Sequence, residues 1–113
     1  MDKVDSAGCH PVFVQILREM QAMHRKKGAD YGTRQDIFAN VRSAEEFGIP
    51  AWKGAVLRAN DKMARLKAFS SNGKLRNEGA EDALLDLANY AVIALVLFRE
   101  AYDIESLPLA GID

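Results

Sequence analysis

The stretch EGAEDALLDLANYAVIALVLF, residues 78–98, decides the fold because it predicts one long apolar helix that carries a few polar side chains. At 100° per residue, Glu78, Asp82, Asp86 and Asn89 lie within about 80° of one another, on a single stripe. Most of the other residues are Ala, Leu, Val or Ile, which is not typical of a solvated helix face. The stripe is therefore expected to lie against another part of the protein or a ligand.

The composition of the whole chain indicates one small globular domain. The chain has 113 residues, of which 49% are hydrophobic, and we expect a single domain over 1–113 with its core at about 11–101. Residues 1–10 and 104–113 are expected to be irregular. The formal net charge of −1 and the pI of about 6.1 argue against binding of duplex nucleic acid through phosphate neutralisation. Cys9 is the only cysteine, so an internal disulfide is excluded and a zinc module is unsupported.

The apolar end of the same stretch indicates where the protein is located in the cell and whether it forms an oligomer. The run YAVIALVLF at 90–98 is well short of the ~20 residues that span a bilayer. The N-terminus MDKVDSAGCH also lacks the apolar core of a targeting segment. We therefore expect a cytoplasmic protein that does not bind membranes. A helix that is apolar on all sides must be covered on all sides, which predicts a homodimer or homotetramer formed through this helix.

Hydrophobic spacing along the chain predicts an all-α bundle of three long helices plus a short one. The first long helix is expected over about 11–27 and is ended by the glycines of KKGADYG. The second is expected over about 50–70, ending at SSNG, and the third over about 78–101. Residues 28–49 are predicted to be mostly irregular, apart from a short helix begun by the capping pattern SAEE at 43–46.

The second predicted helix has a polar face of three cations around one acid. Measured around the helix axis, three residues lie within about 60° of Arg58, namely Asp61, Lys62 and Arg65. Gly54 shares this face. The apolar side comprises Trp52, Ala55, Val56, Ala59, Met63 and Leu66. A solvated charged face explains this pattern taken alone. The short connection to the third helix predicts an antiparallel pair, and if the polar faces meet, Asp61 joins the acidic stripe and the cations border it.

Carboxylates one helical turn apart repel each other, and burying an unpaired one costs several kcal/mol. Two compensations are open: the cations of the second helix, or a divalent metal. Oxygen-only ligands favour Mg²⁺, with Mn²⁺ as an alternative. Because Mg²⁺ usually takes further ligands from substrate phosphates, and Lys and Arg bind the same phosphates, the pattern suits a nucleoside triphosphate held through metal ions. A buried structural network of ion pairs also explains it.

Three motifs, in order along the chain, add a family resemblance. KKGADYG at 26–32, RANDKMARL at 58–66 and EGAEDALLDLANYAVIAL at 78–95 resemble the MazG-like all-α nucleotide pyrophosphohydrolase superfamily. The most similar branch is the mostly phage-encoded one labelled nucleotide modification associated domain 1. The likeness covers about residues 11–100. It implies a helical enzyme that uses Mg²⁺ to hydrolyse nucleoside triphosphates to the monophosphate and pyrophosphate.

The resemblance also implies roles for particular residues. The metal-site acids would be Asp61, Glu78, Asp82 and Asp86, and Asp61 and Glu78 would also be catalytic. Candidates for substrate contact are Lys27, Tyr31, Arg58, Lys62, Arg65 and Asn89. The superfamily's best-known pattern is E-x-x-E on one helix and E-x-x-D on the next, whereas this chain has only Asp61 on the second helix and D-x-x-x-D-x-x-N on the third.

Three functions therefore remain open. The first is a Mg²⁺-dependent pyrophosphohydrolase of (d)NTPs that adjusts nucleotide pools, encoded by a phage and acting in the host cytoplasm. The second is a non-catalytic nucleotide-binding or sequestering protein of the same fold. The third is a structural helical oligomer whose acids pair with Lys and Arg and which holds no ligand.

Overall fold

A computed structural model describes residues 4–31, 36, 38–72 and 77–102, apart from the side chains of residues 31, 71, 72, 77 and 78. Across these residues every regular element is a helix, so the predicted all-α class is confirmed. The elements are α1 (Pro11–Tyr31), α2 (Ala39–Arg42), a 3₁₀ helix (Ser43–Phe47), α3 (Ala51–Asn72) and α4 (Asn77–Ala101). No helix among the described residues combines the length and apolar character needed to cross a bilayer.

The chain forms two compact units, Met1–Asn40 and Val41–Asp113. Helix α1 belongs to the first unit, and α3 and α4 belong to the second. The expectation of one domain over residues 1–113 stays a prediction.

Before α1, residues 4–10 lack regular helix, as expected, and form a turn held by one aspartate. The Oδ1 atom of Asp5 accepts hydrogen bonds from the N–H groups of Ala7 and Cys9, both at 2.9 Å. His10 then caps α1, because its Nδ1 atom accepts a hydrogen bond from the N–H of Val12 at 3.1 Å. This bond satisfies one of the donors left without a partner in the first turn of a helix. The segment 104–113 lies outside the described residues.

Helix α1 extends to Tyr31, so the predicted end near Lys27 is wrong. The helix passes through Gly28 because one interior glycine costs only about 1 kcal/mol relative to alanine. A glycine ends a helix when it adopts the left-handed conformation, and among the described residues a positive φ occurs at Gly8 and Gly48. Lys27 therefore lies one turn before the end of the helix, which has no basic residue in its last turn.

The segment before α3 is more helical than expected, since residues 28–31 and 39–47 are helical. A short helix does form at the SAEE motif, but Arg42 occupies its N-cap position without a side-chain cap hydrogen bond. Ser43 is thus the first helical residue, and the predicted start by a Ser43 cap is wrong. The 3₁₀ helix ends at Phe47, and Gly48 follows as its C-cap with a φ of 74°, a left-handed conformation that glycine adopts without a steric penalty from a Cβ atom.

Helices α3 and α4 pack together as an antiparallel pair, as predicted. At one end, the ring of Trp52 at the start of α3 meets that of Phe98 near the end of α4, edge to face, at 5.3 Å. At the other end, a Cβ on Gly79 would lie 3.2 Å from the Phe69 ring, so the α4 backbone approaches this ring closely. The buried apolar core of this unit is made of Ala51, Ala55, Ala83, Ile93, Ala94 and Leu97. Its alanines allow the two helix axes to approach.

The 3₁₀ helix also packs against α3, at Gly54. A Cβ placed on Gly54 would lie 2.8 Å from the Ala44 Cβ and 3.3 Å from the Val41 carbonyl oxygen. Gly54 is buried, so this part of the predicted polar face is packed rather than solvated. A glycine is needed because the Ala44 methyl group and the Val41 carbonyl oxygen leave no room for a Cβ at this position.

Candidate functional site

The polar stripe of α4 lies on the face that packs against α3. Taking Asp86 as zero, the buried Ile93 and Leu97 lie at about −20° and +20°, so the acid lies in the middle of the buried face. The expectation that the stripe lies against another part of the protein is therefore met for Asp86 and Asn89, and α3 is the neighbouring helix.

Burial increases along the described part of this stripe, from Asp82 to Asn89. Asp82 is exposed, the Asp86 side chain is 17% exposed, and Asn89 is 5% exposed. The stripe therefore runs from solvent at Asp82 into the core at Asn89. A ligand from solution can reach Asp82 directly, while Asp86 and Asn89 lie where water is largely excluded and electrostatic interactions are stronger.

The central contact of the site is an ion pair between the two helices. The Lys62 Nζ atom lies 3.0 Å from Oδ2 of Asp86, and the Lys62 side chain is 21% exposed. On α3, Lys62 lies within about 20° of Ala51 and Ala55, both of which are buried. Its aliphatic stem thus packs in the interface while the ammonium group meets the carboxylate.

The face of α3 predicted from sequence is therefore rotated relative to the observed one. Lys62 lies at the centre of the packed face, whereas Arg58, Asp61 and Arg65 are exposed. Val56 and Met63, predicted on the apolar side, are 46% and 41% exposed. The packed face of α3 sets a lysine opposite the largely buried Asp86 carboxylate, and this lysine compensates the charge, which an aliphatic side chain would not do.

The predicted site residues are thus brought together only in part. Lys62 and Asp86 meet, and Asn89 lies in the same buried face. Within the described ranges, no ion pair links Arg58, Asp61 or Arg65 to the stripe.

Three other predicted positions stand apart from this contact. Glu78 lies in the first turn of α4, but its side chain is outside the described residues, as is that of Tyr31. Lys27 and Tyr31 belong to the first compact unit, Met1–Asn40. The half-buried Lys27 has an interaction partner, so it is not an isolated charge.

The donor chemistry of the stripe suits a hard cation. Asp82 and Asp86 supply carboxylate oxygens and Asn89 an amide oxygen, the ligand types that Mg²⁺ prefers. The Lys62 ammonium already compensates the charge of Asp86 Oδ2, so a metal bound at this oxygen would have to displace Lys62. The described residues contain no group of three or more His, Cys, Asp or Glu able to hold a metal. The set of four acids, which needs the side chain of Glu78, stays a prediction.

Comparison of the chain with protein-family models, with curated proteins and with solved structures finds no match. The family likeness therefore rests on the three sequence motifs.

Proposed function

We propose that this protein is a Mg²⁺-dependent nucleoside triphosphate pyrophosphohydrolase that converts (d)NTPs to (d)NMPs and pyrophosphate. The motif likeness supports the reaction class. The single structural observation that carries the proposal is the pairing of α3 with α4, which sets the Lys62 ammonium 3.0 Å from the Asp86 carboxylate. A basic group and an acidic group at the shielded end of a stripe that opens to solvent suit a ligand containing both phosphate and metal.

The acids of the stripe have the first role in this proposal. Asp82 and Asp86 hold Mg²⁺, with Glu78 and Asp61 as further ligands or as the base that takes a proton from water. The metal, when bound, supplies Lewis-acid polarisation and a template for the phosphates. Water adds to the α-phosphorus, and the bond from that phosphorus to the bridging oxygen breaks. The products are the nucleoside monophosphate and pyrophosphate.

The cations of α3 have the second role, which is to bind the phosphates. Arg58, Lys62 and Arg65 lie within about 60° of one another and extend over about 10 Å of the helix. Exposed guanidinium groups bind phosphate oxygens in a bidentate manner, so Arg58 and Arg65 can capture the triphosphate from solution. Asn89, buried on the same side of α4 as Asp86, orients a ligand through its amide. The biological role proposed with this activity is adjustment of nucleotide pools in the cytoplasm of a phage host.

The test is release of pyrophosphate from each NTP and dNTP in the presence of Mg²⁺. We expect turnover by the wild-type chain, its loss in EDTA, and its loss in Asp86→Ala, which keeps a helical circular dichroism spectrum. Glu46→Ala is the matched control because Glu46 is an exposed acid outside the stripe, and this variant is expected to retain turnover. Unchanged turnover in Asp86→Ala would remove the proposed site.

A purely structural role is the second candidate, and the same ion pair favours it. If Lys62 neutralises Asp86 permanently, the stripe is compensated without any ligand. In that case neither Mg²⁺ nor any nucleotide raises the thermal unfolding temperature, since a ligand stabilises a protein only when it binds the folded state. Stabilisation by a nucleotide without product would instead indicate the non-catalytic binding protein.

A further inference from the structure

The side of α4 that points away from α3 is apolar and exposed. We define the outer face of α4 as Leu84, Ala88, Ala91 and Leu95, which lie within about 60° of one another. Leu84 is 53% and Leu95 49% exposed, whereas Ala91 is exposed and Ala88 is half-buried. From residue 84 to residue 98 the only charged residue is Asp86, which lies on the opposite side and contacts Lys62. About three helical turns of the outer face are therefore free of charge.

The outer face has one charge of each sign at its ends. The exposed Glu81 precedes it and the half-buried Arg99 follows it. These two residues are 18 positions apart, which is five helical turns, so they share one angular position beside the face. A parallel copy of the helix would set Glu81 against Glu81 and Arg99 against Arg99. An antiparallel copy sets each acid near a base.

The positions of the side chains also match in the antiparallel arrangement. When a two-fold axis passes between residues 89 and 90, Leu84 of one copy is opposite Leu95 of the other, and Ala88 is opposite Ala91. Glu81 then lies within one residue of being opposite Arg99. The small alanines meet at the centre, where they let the helix backbones approach, and the leucines pack on either side of them.

From this self-complementarity we infer that the outer face of α4 docks on the same face of a second copy of this chain, antiparallel, about a two-fold axis between residues 89 and 90. Both partners present the same surface, as a closed two-fold dimer requires. The sequence predicts an oligomer through this helix, and this arrangement assigns its face and register. The Lys62–Asp86 contact lies on the other side of α4, so the dimer leaves it accessible and does not depend on the proposed activity.

Mass measurement by sedimentation over two decades of protein concentration, without metal or nucleotide, tests this interface. We expect a monomer–dimer equilibrium for the wild type. Leu84→Glu and Leu95→Lys, each made alone, should weaken dimerisation by roughly tenfold or more because each buries an unpaired charge. The double variant Leu84→Glu/Leu95→Lys should recover dimerisation, since the introduced charges are opposite and face each other. Leu84→Glu/Leu95→Glu should remain monomeric.

Val56→Glu is the matched control, because Val56 is an exposed apolar residue on α3 and should leave dimerisation unchanged. In a Cys9→Ser background, Leu84→Cys/Leu95→Cys should form a disulfide-linked dimer on oxidation, and Leu84→Cys alone should not.

A wild type that stays monomeric throughout the range overturns the inference. So does a double charge variant that fails to recover. If Leu84→Glu lowers thermal stability without changing the mass, a segment of the same chain covers this face, and the inference also fails. Loss of dimerisation with pyrophosphate release intact, or the reverse, separates this inference from the proposed function.

Discussion

We expect the ion pair between α3 and α4 to stabilise the protein more than an exposed ion pair of similar length does. Lys62 and Asp86 are 3.0 Å apart, with side chains 21% and 17% exposed. At an effective dielectric constant of 20 the direct attraction is about 5 kcal/mol, but desolvation of both groups cancels most of it. Exposed pairs contribute about 0.2–1 kcal/mol, and removing one partner of a fully buried pair costs about 3–5 kcal/mol.

The perturbation is a double-mutant cycle of Lys62→Met, Asp86→Asn and the combined variant. Because the pair is largely but not fully buried, we expect Lys62→Met to lower the free energy of unfolding by about 2 kcal/mol. Asp86→Asn should lower it by about 1–2 kcal/mol, since the long lysine side chain can redirect its ammonium group towards water. The coupling energy should be about 1–2 kcal/mol.

Urea unfolding, followed by circular dichroism and by Trp52 fluorescence, measures these free energies from the shift in midpoint at constant slope. The chain supplies its own control in the pair Arg42–Glu100, which is 2.8 Å long but has side chains 31% and 50% exposed. The cycle Arg42→Met and Glu100→Gln should give a coupling below about 1 kcal/mol. A Lys62–Asp86 coupling no larger than that of the control would refute the argument that burial strengthens the contact.

Three further predictions concern packing and the open end of the stripe. Gly54→Ala should lower the free energy of unfolding by about 1–3 kcal/mol, since the new Cβ would lie 2.8 Å from that of Ala44; a more stable variant in thermal unfolding would contradict the close approach. Leu97→Ala should lower it by about 2–4 kcal/mol, because Leu97 is 2% exposed; a loss below about 1 kcal/mol in urea would show that this part of the core is not closely packed. Asp82→Asn should leave stability within about 0.5 kcal/mol and abolish Mg²⁺-dependent pyrophosphate release, because Asp82 is exposed; full turnover would exclude Asp82 as a ligand.

Much of the fold follows from local patterns in the chain. Three long helices and the all-α class come from apolar spacing at the helical period, which each segment carries within itself. The stripe of α4 is predictable for the same reason, since the angles between Asp82, Asp86 and Asn89 depend only on helix geometry. The end of α1 is not predictable in this way, because an interior glycine alters the balance by only about 1 kcal/mol.

The orientation of α3 depends on its neighbour and therefore escapes local patterns. The sequence puts Lys62 with Arg58 and Arg65 on one polar face, but in the folded protein Lys62 is packed against α4 and the two arginines are exposed. Helix periodicity defines relative angles around one axis, and it contains no information about which side a second helix occupies. In the folded protein, α4 lies on the side of α3 that gives the Asp86 carboxylate a cation as it leaves water.

The sequence alone thus predicts the long helices, the acidic stripe and the kind of chemistry that such a stripe can serve. Packing of α3 on α4 added the contact of Lys62 with Asp86 and the gradient of burial from Asp82 to Asn89, and packing of the 3₁₀ helix on α3 added the need for glycine at position 54. These features involve residues separated by at least ten positions or the exclusion of water by a second helix. They arise from the three-dimensional arrangement because burial and close approach are properties of two surfaces together.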